Sequence, residues 1–238
     1  MIDVTIKNNG IIEPFGLKII RESNLELMAP TRDIKDSSDE FDGEMDFGTE
    51  LKSGNWMLVG VTDDNLDATE KAQIRRTLSG QLYEMMNGGY LKYESDPDKR
   101  IIVSMDGRAE IEEYPAWLKV SIPLKVAPFW ESVAENIHTG TGMVTNKGTM
   151  DAPMLIEIRG PVSFPEVIVN AETIKYLGSL LSSDVLAIKT EHKTAILNSE
   201  NVLGDLVGEF PKLKPGSNLI YYDAVGGSLT IKWHDRWI

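Results

Sequence analysis

What most restricts this chain is a succession of short apolar segments, each cut off by Gly, Pro, Asn or Asp before it reaches helical length. Residues 17–21, 56–62, 90–94, 100–105 and 117–126 are rich in Val, Ile, Tyr and Trp. After residue 148 such segments recur at 154–159, 165–169, 173–177, 185–189, 195–197, 217–222 and 228–233. Short β-branched and aromatic runs bounded by turn residues read as strands. Their spacing in the second half is that of a β-sandwich. The expected class is therefore mainly β (all-β with one α-helix), built as two sandwich-type domains. Pro123 falls inside 117–126; without an N–H it is expected at an edge or a bulge, not in a central ladder.

One segment breaks the pattern. Asp67-Ala-Thr-Glu70 has the spacing of a capping box, and Ile74, Leu78, Leu82, Met85 and Met86 follow as one apolar stripe. Asn87-Gly88-Gly89 supplies a left-handed stop, so a helix is expected over 67–87. Lys71, Arg75 and Arg76 are placed off the stripe, leaving a free basic face. Between Pro128 and Gly148 the periodicity lapses into Gly and Thr. That places a linker at 136–147, between domains at 1–135 and 148–238.

Charge narrows the function. The chain holds 37 Asp and Glu against 24 Lys and Arg, net −13, and no Cys. Disulfides, thiolate metal sites and cysteine nucleophiles are therefore excluded. Residues 1–135 carry net −11 and 136–238 only net −2. Within the first part, residues 33–50 hold eight acids (Asp33, Asp36, Asp39, Glu40, Asp42, Glu44, Asp46, Glu50) and one base, Lys35. An acidic surface disfavours nucleic-acid binding. Two readings of the run stand side by side: a solvated loop, or a segment whose charge has a task.

No catalytic constellation emerges. His138, His192 and His234 fall in no metal-ligand pattern, and Asp33-x-x-Asp36 misses the calcium-loop spacing. Carboxylates abound without any pairing that singles two of them out for acid–base work. No phosphate-binding glycine motif is present. No catalytic residue, cofactor or metal ligand is expected. Tyr221, Tyr222, Trp233 and Trp237 gather near the C-terminus, as a sugar-stacking platform or as core and interface residues. No apolar run approaches the ~20 residues of a membrane span, and the start lacks the plan of a signal peptide. Neither membrane insertion nor export by that route is expected.

The order of elements is then recognisable. An acidic extended segment, a strand at 56–62, a capped helix, a short strand pair and a long strand ending in Ala127-Pro-Phe-Trp130 resemble the N-terminal domain of siphophage distal tail (Dit) proteins. Asn146-Lys-Gly148 and Ala152-Pro-Met-Leu-Ile-Glu-Ile158 resemble the start of that family's galectin-like sandwich. Ser183-Asp-Val-Leu-Ala-Ile-Lys189, Phe210-Pro-Lys-Leu-Lys-Pro-Gly-Ser-Asn-Leu-Ile220 and Leu229-Thr-Ile-Lys-Trp233 resemble its later strands. The stretch Leu213–Asn218 is the most specific piece. Ser183 and Lys189 replace a family glycine and aspartate, and Asn198-Ser199 stands where the family hairpin reads like Asn-Gly.

The resemblance implies a structural hub at the virion tail tip, assembled in the bacterial cytoplasm and not an enzyme. Such proteins form a homohexameric ring, in places stacked as two rings, around a channel that DNA passes without specific binding. Implied partners are the tail tube protein, the tail-tip or tail-associated lysin protein, and receptor-binding or baseplate proteins on the outward C-terminal domain. An extended arm, about 24–56, would wrap the neighbouring subunit or line the channel with Asp33, Asp36, Asp39, Glu40, Asp42, Glu44 and Asp46. Lys71, Arg75 and Arg76 would offset that charge across the subunit contact. The alternative is a carbohydrate-binding module acting through the C-terminal sandwich. An infectious virion and a phage-derived bacteriocin are equally compatible with the sequence.

Overall fold

The computed structural model describes residues 1–20, the backbone of two strands over 31–36 and 44–50, and residues 53–238. Contacts divide the chain into two compact units, Met1–Trp130 (with Ile238) and Glu131–Trp237. The first unit runs β1 (Ile2–Ile6), β2 (Ile11–Glu13), β3 (Leu17–Ile19), β4 (Thr31–Asp36), β5 (Glu44–Glu50), β6 (Gly54–Val61), α1 (Ala68–Met86), β7 (Gly89–Tyr93), β8 (Asp96–Met105), β9 (Glu110–Glu113) and β10 (Leu118–Ser132). Neighbours in its sheet follow β10-β6-β3-β2-β1-β7-β8, and β8 pairs back onto β10. The sheet thereby closes into a barrel, which removes its edges. β1 pairs with β7 in parallel, which a turn alone cannot join; α1 lies in the connection that precedes β7. Inward-alternating Val4, Ile12, Leu17, Leu58, Leu91, Ile101, Val120, Ile122 and Leu124 fill the core.

Helix α1 begins where its capping residues put it. Asp67 Oδ1 accepts from the N–H groups of Thr69 (2.7 Å) and Glu70 (2.8 Å), and Glu70 Oε2 accepts from the Asp67 N–H at 2.9 Å. Gly88, at φ +85°, follows the Asn87 cap. The buried side is not quite the stripe expected. Lys71, Leu78 and Met85 are buried while Met86 is 66% exposed. Lys71 stands three residues before Ile74 and seven before Leu78, so it shares their face; Met86 is a full 100° step beyond Met85.

Pro123 is also a correction. It lies in β10, a strand paired along both sides, opposite Met57 of β6. Its carbonyl accepts from the Asp106 N–H at 2.9 Å. In an extended strand the N and C=O of one residue face the same side, so the missing donor faces the 106–109 connection. β9 has already ended there, its pairing running only to Ser121↔Glu110. The β6–β10 ladder loses no bond.

The second unit continues with β11 (Asn136–Thr139), β12 (Gly142–Asn146), β13 (Met154–Arg159), β14 (Val162–Ser163), β15 (Glu166–Val169), β16 (Glu172–Tyr176), β17 (Ser179–Leu180), β18 (Val185–Lys189), β19 (Thr194–Leu197), β20 (Glu200–Asn201), β21 (Leu206–Gly208), β22 (Gly216–Asp223) and β23 (Ser228–Trp233). Two antiparallel sheets, β11-β23-β13-β18-β19-β20 and β12-β22-β15-β16-β21, form a sandwich. Ile156, Ile158, Leu186, Ile188 and Ile231 of one meet Val167, Val169, Ile174, Tyr176 and Ile220 of the other. Residues 136–147, expected as a linker, are instead strands β11 and β12. Each is an outermost strand of its sheet, so few of its residues need to be apolar, and the periodic signal is weak.

Buried amides and one carboxylate tie the ends of these strands. Asn218, wholly buried, accepts on Oδ1 from the Lys214 N–H (2.8 Å) and from Asn170 Nδ2 (2.9 Å). Its Nδ2 donates to the carbonyls of Lys214 (2.8 Å) and Gly216 (2.9 Å). Asn146 Nδ2 donates to the Met150 and Leu213 carbonyls, and its Oδ1 accepts from Gly148 N–H. A Cβ on Gly148 would strike the Arg236 backbone. Asp235 accepts from the Lys147 N–H, the Trp233 indole N–H and Asn136 Nδ2, while its own N–H donates to Ser132 Oγ. Asn198 (φ +47°) and Ser199 (φ +89°) keep the left-handed hairpin turn despite lacking a glycine.

Asn218→Ala is expected to destabilise the chain by about 2 kcal/mol, since it strips partners from three part-buried backbone groups of Lys214 and Gly216; urea unfolding checks this. A second expectation concerns Lys232, whose Nζ lies 2.8 Å from Glu157 Oε2. That hydrogen bond, outweighing desolvation, raises the ammonium above its ordinary 10.5. The resulting stability is fully present below 10.5 and is lost as pH rises through the raised value. The melting difference between wild type and Glu157→Gln should therefore hold through neutral pH and fade only in strongly alkaline buffer.

Candidate functional site

The first turn of α1 docks on the turn between β9 and β10. There Tyr114 and Trp117 stack at 3.9 Å between ring centroids, and the Tyr114 N–H donates to the Trp117 carbonyl at 3.0 Å. Lys71 Nζ donates to the carbonyls of Tyr114 (2.6 Å) and Pro115 (2.7 Å), with Glu113 Oε1 at 3.7 Å. Arg75 Nη2 lies 2.6 Å from Glu113 Oε2. Two of the three bases assigned to a free face are thus held within their own chain. Lys71 is buried because its stem lies on the apolar stripe and its ammonium is hydrogen-bonded by the Tyr114 and Pro115 carbonyls. Arg76 alone of the three is exposed and has no ion-pair partner among the described residues.

Beside the C-terminal half of α1 lies a shallow groove of about 440 Å³, lined by Leu82, Tyr83, Met86, Met105, Arg108 and Ile111 among others. Arg108 is a base that sequence reasoning passed over; like Arg76 it is exposed and unpaired among the described residues. Only the closing of the β8–β9 connection against α1 brings it into view.

The acidic run divides in two. β4 and β5 form a separate antiparallel two-stranded sheet. Asp36 stands opposite Glu44 and Asp46 opposite Ile34, while Asp33 falls at the irregularity between Arg32 and Ile34. Asp39, Glu40 and Asp42 lie outside the described residues. Like charges directly opposed in a ladder oppose pairing.

The aromatic residues do not assemble a platform. Trp233 is buried in the sandwich core with its indole N–H on Asp235 Oδ1 at 3.0 Å. Tyr222 packs half-buried against the same core, and burial pushes its phenol above the usual range. Tyr221, the next residue of β22, is exposed. His234 Nδ1 lies 2.8 Å from the Ser132 carbonyl, and His192 is exposed. Among the described residues no group of His, Asp and Glu is placed to hold a metal ion, and no helix is long and apolar enough to cross a membrane.

Comparisons with known proteins bear on the whole arrangement. Residues 147–237 match the family described as siphovirus-type tail component, C-terminal domain. The solved Dit protein (gp 19.1) of phage SPP1 aligns over 97% of this chain and 97% of that chain, at 11% identity and a TM-score of 0.69. The fold of a distal tail protein is therefore shared along almost the full length, and the resemblance drawn from the motifs stands. The baseplate of phage P2, in its activated conformation with Ca, aligns over 91% of this chain and 90% of that one at 6% identity, with a TM-score of 0.41. No curated protein matches the sequence.

Lys71→Met keeps the stem and removes both hydrogen bonds that the ammonium makes to carbonyls at the α1 dock. A loss of about 2 kcal/mol is expected, read by urea denaturation followed through the Trp117 environment.

Proposed function

We propose that this chain is the distal tail protein of a siphophage-type tail, a non-enzymatic baseplate hub. Its copies close into a hexameric ring that joins the tail tube to the tail-tip protein and supports receptor-binding or baseplate components. The observation that carries the reading is the match of residues 147–237 to the tail-component family, on a chain whose fold follows the SPP1 Dit protein throughout. That protein is described as a paradigm of hub adsorption apparatus in phages infecting Gram-positive bacteria. The unit Met1–Trp130 is assigned to the ring and the unit Glu131–Trp237 to the outward domain, at the tip of the virion tail.

The acidic run gains a task in this setting. Six copies of a net −7 segment bring about 42 excess negative charges to one ring. A channel so lined repels the DNA phosphates that pass it and keeps the passage non-adhesive. The β4–β5 sheet stands apart from the barrel sheet in pairing, as an arm or channel segment requires. The carbohydrate-binding reading loses support, because Trp233 fills the core.

Light scattering and negative-stain imaging of the purified chain test the proposal. Six-fold rings with an open centre are expected. A chain that remains monomeric across concentration and salt overturns it.

A further inference from the structure

One end of the C-terminal sandwich is studded with large apolar side chains on its loops. Phe164 is 55%, Leu177 49%, Leu181 70%, Leu203 40% and Val225 96% exposed. They come from four loop regions, 160–165, 177–184, 198–205 and 223–228, which adjoin strands of both sheets. At this end of β13 and β23, Arg159 pairs with Ser228. The chain enters the unit at the opposite end, where the Ser132 N–H donates to the Asp235 carbonyl. Apolar residues exposed singly are ordinary, but five on adjoining loops mark a surface that something covers.

These loops brace one another. The Phe164 N–H donates to the Gly178 carbonyl at 2.9 Å, and the Leu177 N–H to the Asp205 carbonyl at 2.8 Å. Asp184 accepts from the Leu181 N–H and from Asn198 Nδ2, both at 2.7 Å. A Cβ on Gly226 would strike the Pro161 carbonyl, so the 223–228 loop is seated against 160–165. Side chains on loops fixed in this way lose little freedom when a partner arrives. Phe164 adds a second sign. Its φ of +51° is one that a bulky residue rarely adopts, and with the ring exposed the core does not account for it.

Charge names the partner. The four loops carry Asp184, Glu200, Asp205 and Asp223 and no Lys or Arg, while the rest of residues 136–238 holds seven acids against nine bases. Glu200, Asp205 and Asp223 are exposed and have no ion-pair partner among the described residues. An apolar patch with an acidic rim repels anionic lipid headgroups, and it repels the same end of a second copy. It suits a protein segment whose apolar side chains are flanked by Lys or Arg. We infer that this end of the sandwich docks a partner protein through such a basic, apolar segment. Phe164, Leu177, Leu181 and Val225 take its apolar side chains, and Asp205 and Asp223 take its cations. The surface belongs to the sandwich alone; within the hub reading above, it is the end of the outward domain that a partner covers.

The test uses the full chain and a short fluorescein-labelled peptide in which Lys and Leu alternate, read by anisotropy and by amide hydrogen exchange. Protection is expected in 160–165, 177–184 and 223–228. F164N/L181S, in which Asn tolerates the left-handed backbone, should raise the Kd at least about tenfold. D205K/D223K should also weaken the Lys-Leu peptide about tenfold, and should bind a Glu-Leu twin to within about threefold of the original affinity. Met143→Ser, as exposed but outside the four loops, should change nothing. Should F164N/L181S unfold in a thermal melt, L177S/V225S reads the same surface with a loss of about threefold.

Protection confined to other parts of the chain, or a Kd that none of these substitutions moves, overturns this inference alone. Wild-type assembly that F164N/L181S abolishes makes a second copy the occupant and overturns it. Cosedimentation with phosphatidylglycerol vesicles that F164N/L181S abolishes makes a lipid surface the occupant and overturns it as well. A chain that docks the peptide at this end yet never forms rings overturns the ring reading and leaves the docking end in place.

Discussion

A chain made almost wholly of strands must find a partner for every backbone N–H and C=O where a ladder stops, and this constraint governs the structure more than any cleft does. The barrel meets it by closing on itself, so that no strand of the ring is left with an unpaired side. The sandwich cannot close and meets it with side chains. Asn146, Asn218 and Asp235, each almost wholly buried, spend every polar atom described on loop backbone or on a neighbouring side chain. Such groups are costly if one partner is lost and neutral-looking when complete. The motifs by which the C-terminal unit resembles its family, Asn146-Lys-Gly148 and Leu213–Asn218, therefore serve as ties between loops.

Much of the fold was legible in the sequence for an identifiable reason. The helix announced itself because a capping box and a 3.6-residue stripe are both local signals, and Asp67 and Glu70 close the box as their spacing requires. Sandwich strands such as β13, β18 and β23 alternate cleanly because one face is core. Strands β11 and β12 were hidden because an outermost strand with one sparsely apolar face looks like a loop. β1 was passed over, though Ile2, Val4 and Ile6 alternate in it. Burial of Lys71 was unreadable for another reason: its partners, the Tyr114 and Pro115 carbonyls, are more than forty residues away. Arg108 was hidden in the same way, since nothing near it in sequence points to the groove.

Charge ties the two halves of the functional reading together. An excess of acids on the unit assigned to the ring is a liability for any assembly of identical copies, because like charges must be brought close. The described bases mostly serve their own chain: Lys71 and Arg75 answer Glu113, Lys119 answers Glu112, and Lys18 answers Asp63. That leaves few cations to meet a neighbour, and Arg76 and Arg108 stand out by their position beside exposed Tyr83 and Met86.

The Asp235 tie has a consequence for how the chain is made. Strand β11 pairs with β23, almost a hundred residues later, and the carboxylate of Asp235 anchors Asn136 and Lys147 across a similar separation. Contacts of such sequence separation close long loops and form slowly. The outer strands of the C-terminal unit therefore complete their bonding only once residues 228–235 have been made. A polypeptide that stopped short of them would lack the piece that locks the sandwich, and such copies would be barred from a particle that has to be built from folded ones.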